Sequence, residues 1–203
     1  MVNKKHERLL SFFIGSSGYL VPRPQNEYVK ISKTMHCYLL GKRNNFYFYN
    51  LEKSLYGIRA TLEVFKNIVA KEGKILLISN SLRLESRFAL ESNINYLKWK
   101  RGSLSKSQDV DLVFLSGVNR ENLVEAHRKC LLLSGVGSST MSKIAYPVNL
   151  NIESPLLSDW FLGALYTSYI QGQKMKKTRK TSLPVVRLLG QGKPKAVIQK
   201  NAI

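Results

Sequence analysis

Apolar residues recur along the chain in two alternating periods. Between 52 and 71, Leu55, Ile58, Leu62, Phe65 and Val69 fall three or four apart, the spacing of one helix face, and Gly73 closes the run. "KILLIS", 74–79, then gives four apolar residues in succession, as a strand covered on both faces of a parallel sheet requires. The alternation returns with a helix from a Ser81 cap to about Glu91, a strand in "INYLKW" and a second buried strand in "DLVFLS", 111–116. A helix over 123–133 follows, with Asn119 as its N-cap and Ala126 and Cys130 on its inner face. "GVGSSTMSK" reads as a weak strand or loop and "IAYPV" as a short strand. "SPLLSDWFLGALYTSYIQG" opens with Ser154 as cap and Pro155 at the first helical position, and closes at Gly172. Strands alternating with helices predict a doubly wound α/β fold, an open parallel sheet with helices on both faces.

The chain divides into three segments on this pattern. Residues 1–37 form an N-terminal arm, with a short helix near 7–13 and an extended path enforced by Pro22 and Pro24. Residues 38–172 carry the α/β domain, entered through "YLLGKRNNFYFYNLEKS". There the pattern predicts strands at 38–40 and 46–50 around a turn of Gly41, Lys42, Arg43, Asn44 and Asn45. From 173 to 203 there are nine Lys or Arg and no acid, with Pro184, Gly190, Gly192 and Pro194, which predicts a basic tail that orders on a partner. The arm is also basic, with Glu7 as its sole acid before Pro22, and reads equally as an organelle-targeting segment or an ordinary basic arm.

Charge sharpens this outline. There are 32 Lys and Arg against 13 Asp and Glu, a formal +19 with a pI near 10.0, well beyond what solubility demands. Without the tail, 23 basic residues still face 13 acids, so the domain is cationic by itself. A polyanionic partner follows, and nucleic acid fits best because each neutralised phosphate releases counterions. Length predicts one core, and Cys37 and Cys130 are too far apart for a ligand or redox pair, so free thiols in a reducing compartment are expected. No run of about 18 apolar residues occurs, so no membrane partner is expected.

A doubly wound sheet invites a search for a cofactor. The turn after "KILLIS" reads "NSLRLE", without the glycines that let a pyrophosphate approach the backbone. "SGVGSST" follows a helix rather than a strand, and "GQGKPK" has Pro194 where a phosphate loop needs Ser or Thr. His6, His36 and His127 share no ligand spacing, and no nucleophile elbow occurs. The expectation is therefore no enzyme, no cofactor, no metal and no small-molecule substrate. A nucleotide-binding enzyme on the same sheet is the rival that fold analogy leaves open, and an RNA-binding factor outside the ribosome is another.

Cations interleaved with aromatics remain: Lys42 and Arg43 beside Phe46, Tyr47, Phe48 and Tyr49, and Lys98, Lys100 and Arg101 around Trp99. Cations contact phosphates and aromatics stack on bases, which suits RNA. Strand alternation assigns most of 46–49 to the core and leaves the turn for RNA. The candidate RNA contacts are Lys42, Arg43 and Asn44; Lys98, Lys100 and Arg101; and, at the tail, Lys176, Lys177, Arg179 and Lys180.

The succession of "YLLGKRNNFYFYNLEKS", "KEGKILLIS" and "WKRGSLS" resembles the bacterial and organellar small-subunit ribosomal protein number two over about residues 38–172. That family carries Tyr-x-x-Gly-x-Arg-Asn, a Gly-Lys-Ile-Leu strand and Trp-x-x-Gly-x-Leu-Thr in the same order. The resemblance implies a flavodoxin-like sheet, no catalysis, and a position near the junction of head and body of the small subunit. Small-subunit ribosomal RNA and neighbouring ribosomal proteins are the partners it implies. The chain departs from the family in that Ser105 to Asp109 join "GSLSK" and "DVDLVFLS" directly, where a long helical hairpin is usual, and in "FIGSSG", Ser116 and "SSTM" at positions the family fills otherwise. Such losses together with a basic tail imply an organellar copy, mitochondrial first, plastid second and bacterial third.

Overall fold

The computed structural model describes residues 4–21, 33–79, 82–106, 109–116, 120–136, 144, 146–151 and 153–182. α1 (Lys4–Gly15) leads to a short strand-like segment, and a 3-10 turn over Lys33–Tyr38 enters a hairpin of β1 (Leu39–Arg43) and β2 (Phe46–Tyr49). α2 (Leu51–Ala70) follows at once, with Asn50 as its N-cap accepting a hydrogen bond from the Lys53 amide. Then come β3 (Ile75–Ile78), α3 (Leu82–Phe88), β4 (Ile94–Leu97), α4 (Ser103–Lys106), β5 (Leu112–Leu115), α5 (Arg120–Arg128), β6 (Leu133–Val136), β7 (Tyr146–Val148) and α6 (Pro155–Ser182).

β3 to β7 form one parallel sheet in the order β4-β3-β5-β6-β7. Counted from β3, this is the 2-1-3-4-5 order of flavodoxin-like doubly wound folds. Alternation along the strands feeds two cores. Ile75, Leu77, Leu112 and Phe114 pack under α1, α2, α3 and α6, whereas Leu76, Ile78, Val113, Leu115 and Leu133 pack under α4 and α5. The buried apolar runs of β3 and β5 thus occupy the two-sided strands that their sequence predicts.

α2 lies against α6 and the edge strand β7. Ser54, Gly57 and Thr61 recur along one helix stripe facing β7: the Thr61 hydroxyl donates to the Tyr146 carbonyl, and a Cβ on Gly57 would collide with the Pro147 carbonyl oxygen. Small side chains here let helix and strand backbones approach.

Several expectations are corrected. The turn of the hairpin is two residues, Asn44 and Asn45, both left-handed at φ 47° and 65°; Gly41, Lys42 and Arg43 belong to β1. Two consecutive left-handed residues are what the tight mirror-image hairpin turns demand, and Asn tolerates them. The aromatics of β2 are not mostly core, because the hairpin stands outside the parallel sheet and only Tyr49 is fully buried. α5 ends at Arg128, and Cys130 is exposed with φ 53°, since the chain must turn there to enter β6. α6 runs ten residues past Gly172 to Ser182. Gly172 is not a stop: it is buried against α2, where a Cβ would come within 2.7 Å of the Lys66 carbonyl oxygen. The caps assigned to Ser81 and Asn119 lie outside the described residues.

Candidate nucleic-acid interface

The hairpin is held at its base and exposed at its tip. Residues 19–21 add a third strand beside β2, with the Val21 amide donating to the Tyr47 carbonyl at 3.0 Å and the Tyr49 amide to the Tyr19 carbonyl at 2.7 Å. Tyr19 stacks on Phe48 with centroids 5.9 Å apart. The Tyr49 hydroxyl is buried; loss of solvent, and then the Glu153 carboxylate, push its pKa well above that of an ordinary tyrosine. At the tip, Lys42, Arg43, Asn44 and Asn45 are all exposed, and the Lys42 ammonium lies 5.5 Å from the centre of the Tyr47 ring.

The Trp99 segment is built differently. Gly102, at φ +85°, turns the chain after β4, and the Glu125 carboxylate of α5 accepts hydrogen bonds from the amides of Gly102 (3.1 Å) and Ser105 (2.7 Å). Ser105 closes the turn through its hydroxyl, 2.7 Å from the Gly102 carbonyl, while Leu104 is buried and Trp99 packs on the second core. "WKRGSLS" is therefore a loop pinned by one acid, with Lys98, Lys100 and Arg101 turned outward and exposed.

The third group lies on α6. Gly172 crosses α2 at Lys66 and Val69, and Lys176 pairs with Glu72 at 3.4 Å, just where α2 ends. The helix therefore passes the end of its neighbour, carrying Lys177, Arg179 and Lys180 onward; of the last two only the helical backbone is described. Cations in these final turns also complement the helix dipole.

The structure does not gather the three groups into one patch. Gly57 faces Pro147 and Thr61 faces Tyr146, so α2 runs antiparallel to β7 and its first turn, with the hairpin, lies by the carboxyl end of β7. Lys98 to Arg101 leave the carboxyl end of β4, at the opposite edge, four strand spacings or roughly 19 Å away. The α6 extension is at the amino end of the sheet. Strand alternation gives Phe46 and Tyr47 to the core, whereas Phe46 is exposed and Tyr47 half-buried at the hairpin tip; the Asn-Asn dipeptide, which marks a two-residue turn, was the available signal.

The crevice where such sheets take ligands lies beyond β3 and β5, whose ends are tied by a 2.9 Å bond from the Ser116 amide to the Ile78 carbonyl. The turns that follow, 80–81 and 117–119, lie outside the described residues. Among the described residues no group of three His, Cys, Asp or Glu could hold a metal ion, and no helix is long and apolar enough to cross a membrane. No protein-family model matches the chain, and no curated protein matches it.

Proposed function

We propose that the protein is a structural constituent of the small ribosomal subunit, akin to small-subunit ribosomal protein number two, in an organellar and first of all mitochondrial ribosome. Plastid is the second choice of compartment. The observation that carries the reading is one of coincidence between motif and place. Each segment behind the resemblance forms a defined element of the fold: the hairpin before α2, the buried strand β3 of the parallel sheet, and the acid-pinned loop after β4. Two of these three segments leave cations exposed, which is what docking on phosphate requires. Cations on three separate parts of the surface suit a protein that touches a large folded RNA at several points rather than one short oligonucleotide. Affinity then comes mainly from phosphate neutralisation, with shape fixing the register, and neighbouring ribosomal proteins cover the rest.

Sedimentation of compartment extracts at moderate salt tests the proposal. The protein is expected in the small-subunit fraction with one dominant ribosomal RNA. Recovery as a free protein without that RNA overturns it, and recovery with many unrelated RNAs favours a factor acting outside the ribosome.

A further inference from the structure

The register of the hairpin sets one cation opposite one aromatic on each of its two faces. Lys42 stands opposite Tyr47, and Arg43 opposite Phe46. Cross-strand partners share a face and successive pairs point to opposite faces, so the ribbon ends in two such pairs, back to back. The two-residue turn at Asn44 and Asn45 sets this register, and the irregularity in pairing between Leu39 and Gly41 is taken up in the stem. The turn adds two more exposed polar residues, Asn44 and Asn45, and no acid lies between Leu39 and Leu51. The stem is fixed by buried Tyr49 and the third strand at 19–21, so the tip is presented on a firm base.

Resting on the RNA-binding reading above, we infer that this tip takes an unpaired stretch of RNA rather than a duplex. Bases stack on Tyr47 and Phe46, and the adjoining phosphates pair with Lys42 and Arg43. The aromatic rings decide between the two forms of RNA. A-form duplex buries the faces of its bases in its own stack, and its deep, narrow major groove does not admit protein side chains. Phosphate contacts alone would need the cations and leave the rings idle. An unpaired strand offers both base faces and phosphates at the spacing of adjacent residues. In the free protein the Lys42 ammonium covers the Tyr47 ring; a base arriving there takes the ring, and the ammonium moves to the phosphate of the same nucleotide.

The test uses the full chain and a labelled twelve-nucleotide RNA, presented single-stranded or annealed to its complement, with binding read by fluorescence anisotropy over a salt series. Wild type is expected to prefer the single strand. Tyr47→Leu with Phe46→Leu is expected to lower single-strand affinity about tenfold or more, with duplex affinity and salt slope unchanged. Lys42→Gln with Arg43→Gln is expected to flatten the single-strand salt slope by about 1.4, two phosphate contacts' worth. Tyr47→Phe, which keeps a ring, retains the preference and guards against misfolding as the cause. Equal binding of both RNA forms, or no loss in the leucine variant, overturns this inference while leaving the ribosomal reading in place. Failure to bind either form also overturns this inference, while the ribosomal reading is decided by the sedimentation test.

Discussion

The two faces of the sheet are covered to very different depths. On one, helices of twenty and twenty-eight residues, α2 and α6, cross at Gly172 and enclose an aromatic network. Phe88 meets Phe65, Tyr166 and Tyr169 edge to face there, and Phe161 stacks on Phe114 at 6.0 Å. On the other, α4 and α5 have four and nine residues. Helices that short do not persist in water without tertiary support, so the second face depends on particular pins such as Glu125, whereas the first depends on bulk burial.

If the first face carries most of the stability, truncating it should cost most. Phe65→Ala, at a fully buried ring between α2 and Phe88, is expected to cost about 3–5 kcal/mol, measured by urea unfolding. Leu104→Ala, equally buried but under the short α4, should cost about 2–3 kcal/mol, because a four-residue helix can settle into the space. Equal losses at the two sites would mean that the faces are equally rigid.

A smaller effect tests the pin itself. Glu125→Ala removes the acceptor of two backbone amides, one of them at the start of α4, and is expected to cost about 1–2 kcal/mol. It should also raise hydrogen exchange in the Trp99 loop without disturbing α2. Unchanged exchange at Gly102 and Ser105 would refute the pinning.

The thick face was the more legible one. Leu55, Ile58, Phe65 and Val69 announce α2 by spacing alone, and all four are buried. β3 and β5 are equally plain, because strands buried on both sides have no polar alternation to obscure them. Failures fell where one residue type serves two physical purposes. Glycine ends helices and also lets helices touch, and Gly172 does the second. An aromatic run signals a strand without telling whether a second layer will cover it, and β2 leaves Phe46 exposed and Tyr47 half-buried where strand alternation predicts core. The candidate cations could be named from sequence, but their dispersal over two sheet edges and one helix end is a property of topology.

Alkaline titration probes the thick face more gently. Burial, followed by the hydrogen bond that its hydroxyl donates to Glu91, pushes the Tyr169 pKa up to about 12 from 10.0, while the hydroxyl also accepts a bond from Gln173 at 2.7 Å. The neutral phenol is the form the fold favours. Its contribution is therefore present in full below about pH 10, where the unfolded chain's tyrosines are also neutral, and is lost as pH climbs from there through about 12. Tyr169→Phe should flatten the fall in Tm over that window and leave Tm at pH 7 nearly unchanged apart from the lost hydrogen bond. An identical decline in the variant would place the alkaline sensitivity elsewhere, with Tyr49 the next candidate.

The smallest expected effect on stability separates fold from function. Lys176 and Glu72 form a pair at 3.4 Å with about a quarter and a half of their side chains exposed, a setting in which ion pairs contribute about 0–1 kcal/mol. Lys176→Ala should barely move the unfolding midpoint, since Gly172 and Val69, not the pair, hold α6 to α2. If the α6 extension meets phosphate, the same substitution should lower the slope of log affinity against log salt by about 0.9 for duplex RNA regions. Glu72→Gln should act in the opposite sense, freeing Lys176 from its carboxylate and raising affinity slightly at low salt. A clear loss of stability with no change in slope would make Lys176 a helix anchor. The basic run would then reach RNA, if anywhere, only beyond Glu72.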